Sequence, residues 1–187
     1  MTILNEIMDY NEKFVQEQHY LGYTTSKYPN KRMVILTCMD ARLLDLLPKA
    51  MNLKNGDAKI LRNAGAILTE PFGSMMRSIL VAVYELKAEE VLVIGHHDCG
   101  MSKLDSEVIQ EKMLSRGIKE ETLAILNTAG ISMKEWLTGF ANVEVSVKQS
   151  VKVIKNHPLL PKDVPVHGLV IHPDTGKLDV VVNGYGD

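Results

Sequence analysis

The sequence predicts an α/β fold in which helices flank a central, mainly parallel β-sheet. Short and almost wholly apolar runs, which are typical of buried strands, alternate along the chain with segments whose apolar residues recur at helical spacing. The two clearest strands are residues 33–37 and 90–95. Strands that alternate with helices build parallel sheets covered by helices on their faces. A chain of 187 residues has the length of one domain, so a single domain is expected over residues 1–187.

The first helix is predicted from an apolar stripe over residues 3–18. Its apolar side chains lie four, three and four positions apart, which places them on one face of a helix. They are Ile3, Ile7, Tyr10 and Phe14. An amphipathic helix of this kind is expected to cover apolar surface with that face.

The remaining elements follow from the same two periodicities. A short strand is expected at residues 59–61. The sequence Thr69-Glu70-Pro71 predicts the start of a helix that continues to about Leu86, because proline is favoured at the first helical position. The other predicted helices cover residues 43–51, 104–115, 120–127, 132–138 and 143–154. Residues 166–172 and 178–182 flank a turn and predict a C-terminal β-hairpin.

Composition argues against several classes of protein. The net charge of −2 lacks the concentrated basic surface of non-specific nucleic-acid binding, so no nucleic-acid partner is expected. No stretch approaches the roughly 20 apolar residues of a membrane-spanning helix, so no membrane partner is expected either. The first residues show no basic segment before a long apolar run, so no signal peptide is expected. Two cysteines do not make a disulfide framework, which favours a reducing, cytoplasmic setting.

Two loops that follow predicted strands concentrate the reactive side chains. One is Cys38-Met39-Asp40-Ala41-Arg42, and the other is Gly95-His96-His97-Asp98-Cys99-Gly100. In open α/β sheets, ligands bind beyond the carboxyl ends of the strands, where the loops diverge. Both cysteines of the chain and an adjacent histidine are therefore expected at the part of the fold that is available for a binding site.

These residues predict a zinc site. A catalytic zinc takes thiolate and imidazole ligands from three side chains and keeps one position open, a count that Cys38, His96 and Cys99 satisfy. His96 and Cys99 lie three positions apart, so one turn can direct both at a single ion. His97 competes with His96, because spacing alone does not separate them. The chain has no third cysteine, so the fourth position falls to water or to a nearby carboxylate.

Simpler interpretations of the same residues exist. A buried cysteine is commonly a small hydrophobic side chain, and a His-His pair after a strand is commonly part of a turn. A redox pair between Cys38 and Cys99 is another alternative, but it leaves His96 without a role. The concentration of both cysteines and a histidine at strand ends favours zinc.

Asp40 and Arg42 follow Cys38 closely enough for the guanidinium to hold the carboxylate in a bidentate pair. As an ordinary surface ion pair, it would contribute only about 0–1 kcal/mol. Beside a zinc ion that two thiolates make formally neutral, a carboxylate can compensate for weaker acidification of water by accepting its hydrogen bond. A free Asp40 could instead move onto the zinc. Arg42 would then decide between an open and a closed site.

The two motifs together resemble the β-class carbonic anhydrases, whose signature is Cys-x-Asp-x-Arg followed by His-x-x-Cys. The segment Arg62-Asn63-Ala64-Gly65 is also similar to the family, and the strongest match covers residues 33–104. The short length and the ending from His167 to Ile171 are similar to its compact branch. The resemblance implies reversible hydration of carbon dioxide to bicarbonate and a proton, with one Zn²⁺ per chain.

Carried over residue by residue, the resemblance implies that Cys38, His96 and Cys99 bind zinc. Asp40 would orient the zinc-bound water, or replace it as a fourth ligand at rest, and Arg42 would restrain Asp40. The resemblance also implies a homodimer or higher homo-oligomer, in which residues 1–20 form a helical arm on the partner subunit. On spacing alone, a helix that covers its own core is an equally good interpretation.

Departures from the family pattern are small, and two functional alternatives remain. His97 and Ala41 stand where a small polar residue and a serine are common, and His97 is either a proton shuttle or, more simply, a solvated turn residue. Three further histidines are expected to be structural or on the surface: His157, His167 and His172. One alternative function is hydrolysis of carbon disulfide or carbonyl sulfide on the same scaffold. The other is a non-catalytic zinc-binding protein, against which the intact Asp40–Arg42 pair argues.

Overall fold

A five-stranded β-sheet organises the computed structural model, which describes residues 1–186. Its strands are β1 (Met33–Cys38), β2 (Ala58–Asn63), β3 (Glu90–His96), β4 (Val166–Ile171) and β5 (Leu178–Val182). Their order in the sheet is β2-β1-β3-β4-β5. All neighbours pair in parallel except β5, which forms an antiparallel hairpin with β4. The predicted α/β fold, with its mainly parallel sheet and C-terminal hairpin, is confirmed.

Helices connect the strands and cover the sheet. In residues 1–186 they are α1 (Ile3–Gln16), α2 (Leu43–Ala50), α3 (Ser74–Tyr84), α4 (Ser106–Ser115), α5 (Glu120–Thr128), α6 (Met133–Leu137) and α7 (Val143–Lys155). Most ends lie within two residues of those predicted from the sequence. Among the described residues, none of these helices has both the length and the apolar character needed to cross a lipid bilayer.

The predicted start of α3 is wrong. The helix begins at Ser74, after Gly73 in an extended conformation, and ends at Tyr84 rather than at Leu86. Glu70 and Pro71 are instead the first two residues of a turn that the Gly73 amide closes by donating to the Glu70 carbonyl at 3.1 Å. Proline is favoured at the second position of such a turn and glycine at the fourth. Pro71 therefore marks a turn before the helix rather than the first residue of the helix.

Two apolar clusters cover the two faces of the sheet, and this explains why the central strands are continuously apolar. On one face, Val34 and Leu36 pack with buried residues of α3 and α7, which are Met76, Ile79, Ala82, Val147, Val151 and Ile154. On the other face, Ile35 and Ile94 pack with Leu43 and Leu47 of α2. Successive residues of β1 therefore face opposite sides of the sheet, as the two-residue period of a strand requires.

Helix α7 lies directly on β3 and β4 because both strands have a glycine where the helix crosses. A Cβ on Gly95 would lie 2.7 Å from Val143 Cγ2, and one on Gly168 would lie 2.8 Å from Val147 Cγ1. Side chains at these positions would push the helix away. The close approach fixes the carboxyl end of β3, where the candidate site begins.

Helix α1 buries no side chain of its own. Ile7 and Tyr10, which belong to the predicted apolar stripe, are 58% and 65% exposed. The Phe14 ring lies beside other rings of the N-terminal segment, with centroids 6.4 Å from that of Tyr10 and 6.2 Å from that of Tyr23. The interpretation in which this helix covers its own core is therefore wrong for the chain as described, and the apolar stripe is open to another molecule.

Candidate metal centre

The centre lies where β1 and β3, which are neighbours in the sheet, end side by side. Cys38 is the last residue of β1, His96 is the last residue of β3, and Cys99 follows in the next loop. The Thr37 hydroxyl donates to the Ile94 carbonyl at 2.9 Å and ties the two strands together just before the centre. All three predicted ligands are buried.

The ligand atoms of Cys38, His96 and Cys99 all lie within 4.8 Å of one another, and the two Sγ atoms are 3.9 Å apart. His96 Nδ1 lies 2.8 Å from the His97 carbonyl oxygen, to which it donates. That contact fixes the tautomer and leaves the lone pair on Nε2, which is buried and has no hydrogen-bond partner. A buried imidazole nitrogen without a partner, beside two thiols, is a donor set that fits a metal ion.

His97, which competed with His96 on spacing, lies outside this group. Its ring faces that of His172, with 5.9 Å between the ring centroids. The side chains of successive residues at a strand end point in different directions, so only His96 faces the two cysteines.

The two thiols differ in acidity. Burial would raise the pKa of Cys38, yet the adjacent His96 imidazole and the backbone amides of Asp40 and Gly65, which donate to the thiolate, lower it to about 7. Burial and the neighbouring charge of Cys38 raise the pKa of Cys99 to about 11. In the metal-free chain, Cys38 is therefore the thiol that ionises first, next to the His96 imidazole.

Arg42 holds Asp40 in a two-point contact. Its Nε lies 3.1 Å from Asp40 Oδ1, its Nη2 lies 2.8 Å from Oδ2, and its backbone amide donates to Oδ1 at 2.9 Å. The Arg42 hydrogen bonds lower the pKa of Asp40 to about 2, so the carboxylate is ionised at neutral pH. Asp40 Oδ2 also lies 3.8 Å from His96 Nε2. The pair therefore presents a negative oxygen to the candidate metal position.

The sequence profile of the carbonic anhydrases matches residues 33–178. The crystal structure of β-carbonic anhydrase isoform I from Trichomonas vaginalis superposes with a TM-score of 0.88 at 33% identity, over 99% of this chain and 100% of that one. The chain belongs to the β-carbonic anhydrase family. The family resemblance inferred from the two motifs is thereby confirmed.

Relatives of this β-carbonic anhydrase chain carry two kinds of name. The Bacillus subtilis protein YvdA, which bears a provisional carbonic anhydrase name, is 62% identical over 99% of this chain and 94% of its own length. A carbon disulfide hydrolase from Acidianus sp. is 31% identical over 80% of this chain and 76% of its own length. Family membership alone therefore leaves two substrate classes to be considered.

Arg62 supports the centre of this β-carbonic anhydrase chain, although the sequence analysis gave it no role. Its Nε donates to the Cys38 carbonyl at 3.0 Å, and its Nη2 donates to the Asp40 carbonyl at 2.7 Å. Asn63 bonds both the amide and the carbonyl of Ile67, and thereby closes the loop in which the Gly65 amide donates to Cys38 Sγ at 3.4 Å. The sequence held one signal for this role, which was the position of the charged Arg62 near the end of β2, the strand beside β1.

Three more histidines of this β-carbonic anhydrase chain lie outside the metal group, in keeping with the structural or surface roles expected of them. His157 is buried and its Nδ1 accepts from the Leu159 amide at 3.2 Å. His167 accepts from the Gly184 amide at 3.1 Å, and His172 accepts from the Asp174 amide at 3.3 Å. The His157 and His172 contacts stabilise local turns, and the His167 contact joins β4 to the segment after β5.

A largely apolar groove of about 680 Å³ lies next to the centre. Ala64 and Met101 line the groove, and Met101 also packs against the cluster that contains Cys38 and Cys99. Leu104 and Trp136 also line it, together with polar residues that include two glutamates. A lining in which apolar surface predominates can admit a small uncharged molecule.

Proposed function

We propose that this chain is a zinc-dependent carbonic anhydrase (carbonate dehydratase), which interconverts carbon dioxide and bicarbonate with one zinc ion per chain. The observation that carries the proposal is the meeting of two thiols and an unpartnered imidazole nitrogen beside an ionised carboxylate held by an arginine. Membership of the β-carbonic anhydrase family supports it.

Zinc is the metal that the donors favour. Zinc–sulfur bonds of about 2.3 Å at a tetrahedral angle place two sulfurs about 3.8 Å apart, close to the 3.9 Å between the Cys38 and Cys99 sulfurs. Two thiolates and one imidazole are ligands that bind zinc well, whereas magnesium and calcium favour oxygen ligands. We assign Cys38, His96 and Cys99 as the three protein ligands, which leaves one tetrahedral position open.

When bound, zinc supplies the Lewis acidity that makes water a nucleophile near neutral pH. Asp40 contributes the orientation, because its ionised Oδ2 can accept a hydrogen bond from the attacking water and direct a lone pair at the carbon of carbon dioxide. Arg42 contributes the position of Asp40, since two guanidinium nitrogens engage both carboxylate oxygens. The same contact opposes movement of the carboxylate into the open position. The proton of the reaction finally leaves to buffer.

Hydrolysis of carbon disulfide or carbonyl sulfide is the second candidate. It is favoured by the relative from Acidianus, whose name states carbon disulfide hydrolysis. Both substrate classes are small, uncharged molecules that an apolar groove admits. The two functions would differ in how the substrate reaches the centre, and only a direct assay distinguishes them.

The proposed assembly is a homodimer or higher homo-oligomer of single-domain chains. Residues 1–187 form that domain in this proposal, and residues 1–20 are the arm whose apolar stripe packs on the partner. The exposure of this stripe supports the proposal. A cytoplasmic location suits the centre, because a reducing compartment keeps both cysteines available as ligands.

Stopped-flow hydration of carbon dioxide, on protein with a measured zinc content, tests the activity. A rate well above buffer that scales with zinc content is expected. Zinc-loaded protein that hydrates no carbon dioxide would refute the proposal. Hydrolysis of carbon disulfide or carbonyl sulfide by that same sample would support the second candidate, and inactivity on all three would leave a non-catalytic zinc protein.

Light scattering after size-exclusion chromatography tests the assembly. We expect Ile7→Asp to shift the chain toward monomers, because it places a charge in the apolar stripe, while Asp9→Ala serves as the control on the same helix. Equal masses for Ile7→Asp and the unmodified chain would exclude the arm as the main contact.

A further inference from the structure

We propose that Asp98 is a positioning residue that holds the Arg42 guanidinium in place against Asp40. The inference rests on the proposed function, because it concerns how the Asp40 carboxylate is kept beside the metal position. Asp98 lies between the candidate ligands His96 and Cys99, in a position to which the sequence analysis assigned no role.

Arg42 is contacted by two acidic residues rather than one. While Nε and Nη2 engage Asp40, Nη1 lies 3.3 Å from Asp98 Oδ2, and Nη2 also donates to the Asp98 carbonyl at 3.1 Å. All three nitrogens of the guanidinium therefore have acceptors. A planar guanidinium that is held at both ends rotates less freely than one held at a single end.

The conformation of Asp98 makes this contact possible. Its φ is 51°, in the left-handed region, which aspartate adopts more readily than most residues other than glycine and asparagine. Through Arg42, Asp98 connects the two loops that carry the candidate ligands, since Arg42 belongs to the Cys38 loop and Asp98 to the loop of His96 and Cys99.

Lys103 holds the other oxygen of Asp98. Its Nζ lies 3.2 Å from Asp98 Oδ1, which completes a row of alternating charges from Asp40 through Arg42 and Asp98 to Lys103. The Asp98 side chain is 63% exposed and that of Arg42 is 40% exposed. Water therefore screens the contact, and we expect its loss to lower kcat by roughly two- to five-fold.

A double-mutant cycle on zinc-loaded protein tests whether Asp98 acts through Arg42. We expect Asp98→Ala to lower kcat for carbon dioxide hydration with little change in KM, and Asp98→Asn to recover much of the loss because the amide oxygen still accepts from Nη1. In the Arg42→Ala background, Asp98→Ala should cause no further loss. Asp45→Ala is the matched control, since Asp45 pairs with Lys49 on the exposed face of α2.

Two kinetic outcomes would overturn the inference. One is an Asp98→Ala variant as active as the unmodified chain. The other is an Asp98→Ala loss that is equally large with and without Arg42, because that result would assign the effect of Asp98 to the loop itself.

The visible absorption spectrum of the cobalt(II)-substituted chain gives a second readout that needs no turnover. If Asp98 holds Arg42, the spectrum of Asp98→Ala should move toward that of Arg42→Ala, in which Asp40 is free to approach the metal, while Asp45→Ala should leave it unchanged. Identical spectra for Asp98→Ala and the unmodified chain would overturn the inference. If the zinc-loaded chain hydrates no carbon dioxide, the proposed function fails, and this spectrum still decides the role of Asp98.

Discussion

Replacing Arg42 by alanine removes the side chain that holds the carboxylate of Asp40. The backbone amide of residue 42 keeps its contact with Oδ1, so the variant loses the two side-chain hydrogen bonds of 3.1 and 2.8 Å. These bonds are the first cause of the lowering of the Asp40 pKa from 3.8 to about 2, which corresponds to roughly a fifty-fold preference for the paired, ionised carboxylate. Because 40% of the Arg42 side chain is exposed, solvent screening reduces the expected effect to roughly ten-fold.

We therefore expect Arg42→Ala to keep its zinc and to lose about ten-fold in kcat for carbon dioxide hydration near pH 7. Stopped-flow rates with an indicator, normalised to zinc measured by atomic absorption, check this. The kcat of Arg42→Lys should lie between those of the unmodified chain and Arg42→Ala, because lysine keeps the charge and loses the bidentate contact. Arg32→Ala is the matched control, since Arg32 pairs with Glu89 on the surface away from the centre. A zinc-loaded Arg42→Ala variant with full activity at pH 7 would refute the reasoning.

Three further predictions concern the ligands, the packing and the pH dependence of stability. Cys99→Ser should reduce bound zinc to well below one ion per chain while the far-ultraviolet circular dichroism is kept, and stoichiometric zinc would contradict the assignment. Gly95→Ala should lower the free energy of unfolding in urea by about 1–3 kcal/mol because its Cβ would meet α7, whereas Gly22→Ala, which has open space, should not. Since the pKa of Asp40 is lowered on folding, its ionised form stabilises the chain above about pH 4, and this contribution disappears as the pH falls to about 2. In metal-free protein, Asp40→Asn should therefore lower the free energy of unfolding by about 1 kcal/mol at pH 6 and by almost nothing at pH 2. An equal loss at both pH values would contradict the predicted pH dependence.

The strand-end rule was enough to predict from the sequence that the three candidate ligands meet. The apolar runs before Cys38 and before His96 predicted two buried strands, and the fold places those strands side by side. What the sequence could not decide was which of the paired histidines faces the cysteines, because His96 and His97 have the same neighbours along the chain. The structure separates them through the direction of the side chain at the end of β3 and through the His97 carbonyl, which accepts from His96 Nδ1.

Contacts between distant segments could not be predicted from local patterns. Arg62 bonds carbonyls 22 and 24 positions earlier in the chain, and Arg42 bonds Asp98 across 56 positions. Nothing in the sequence near these residues indicates such partners, since only the register of β2, β1 and β3 brings them together. The error at the start of α3 has a different origin, because Pro71 is compatible with both a helix start and a turn.

The most direct measurement of the central claim is X-ray absorption at the zinc edge of the zinc-loaded chain. The account predicts two sulfur neighbours at about 2.3 Å and at least one nitrogen neighbour at about 2.0–2.1 Å. It also predicts that Cys99→Ser removes one of the two sulfurs from any zinc that remains bound. A zinc shell without sulfur, or with the same two sulfurs after the substitution, would contradict the claim that Cys38, His96 and Cys99 share one ion.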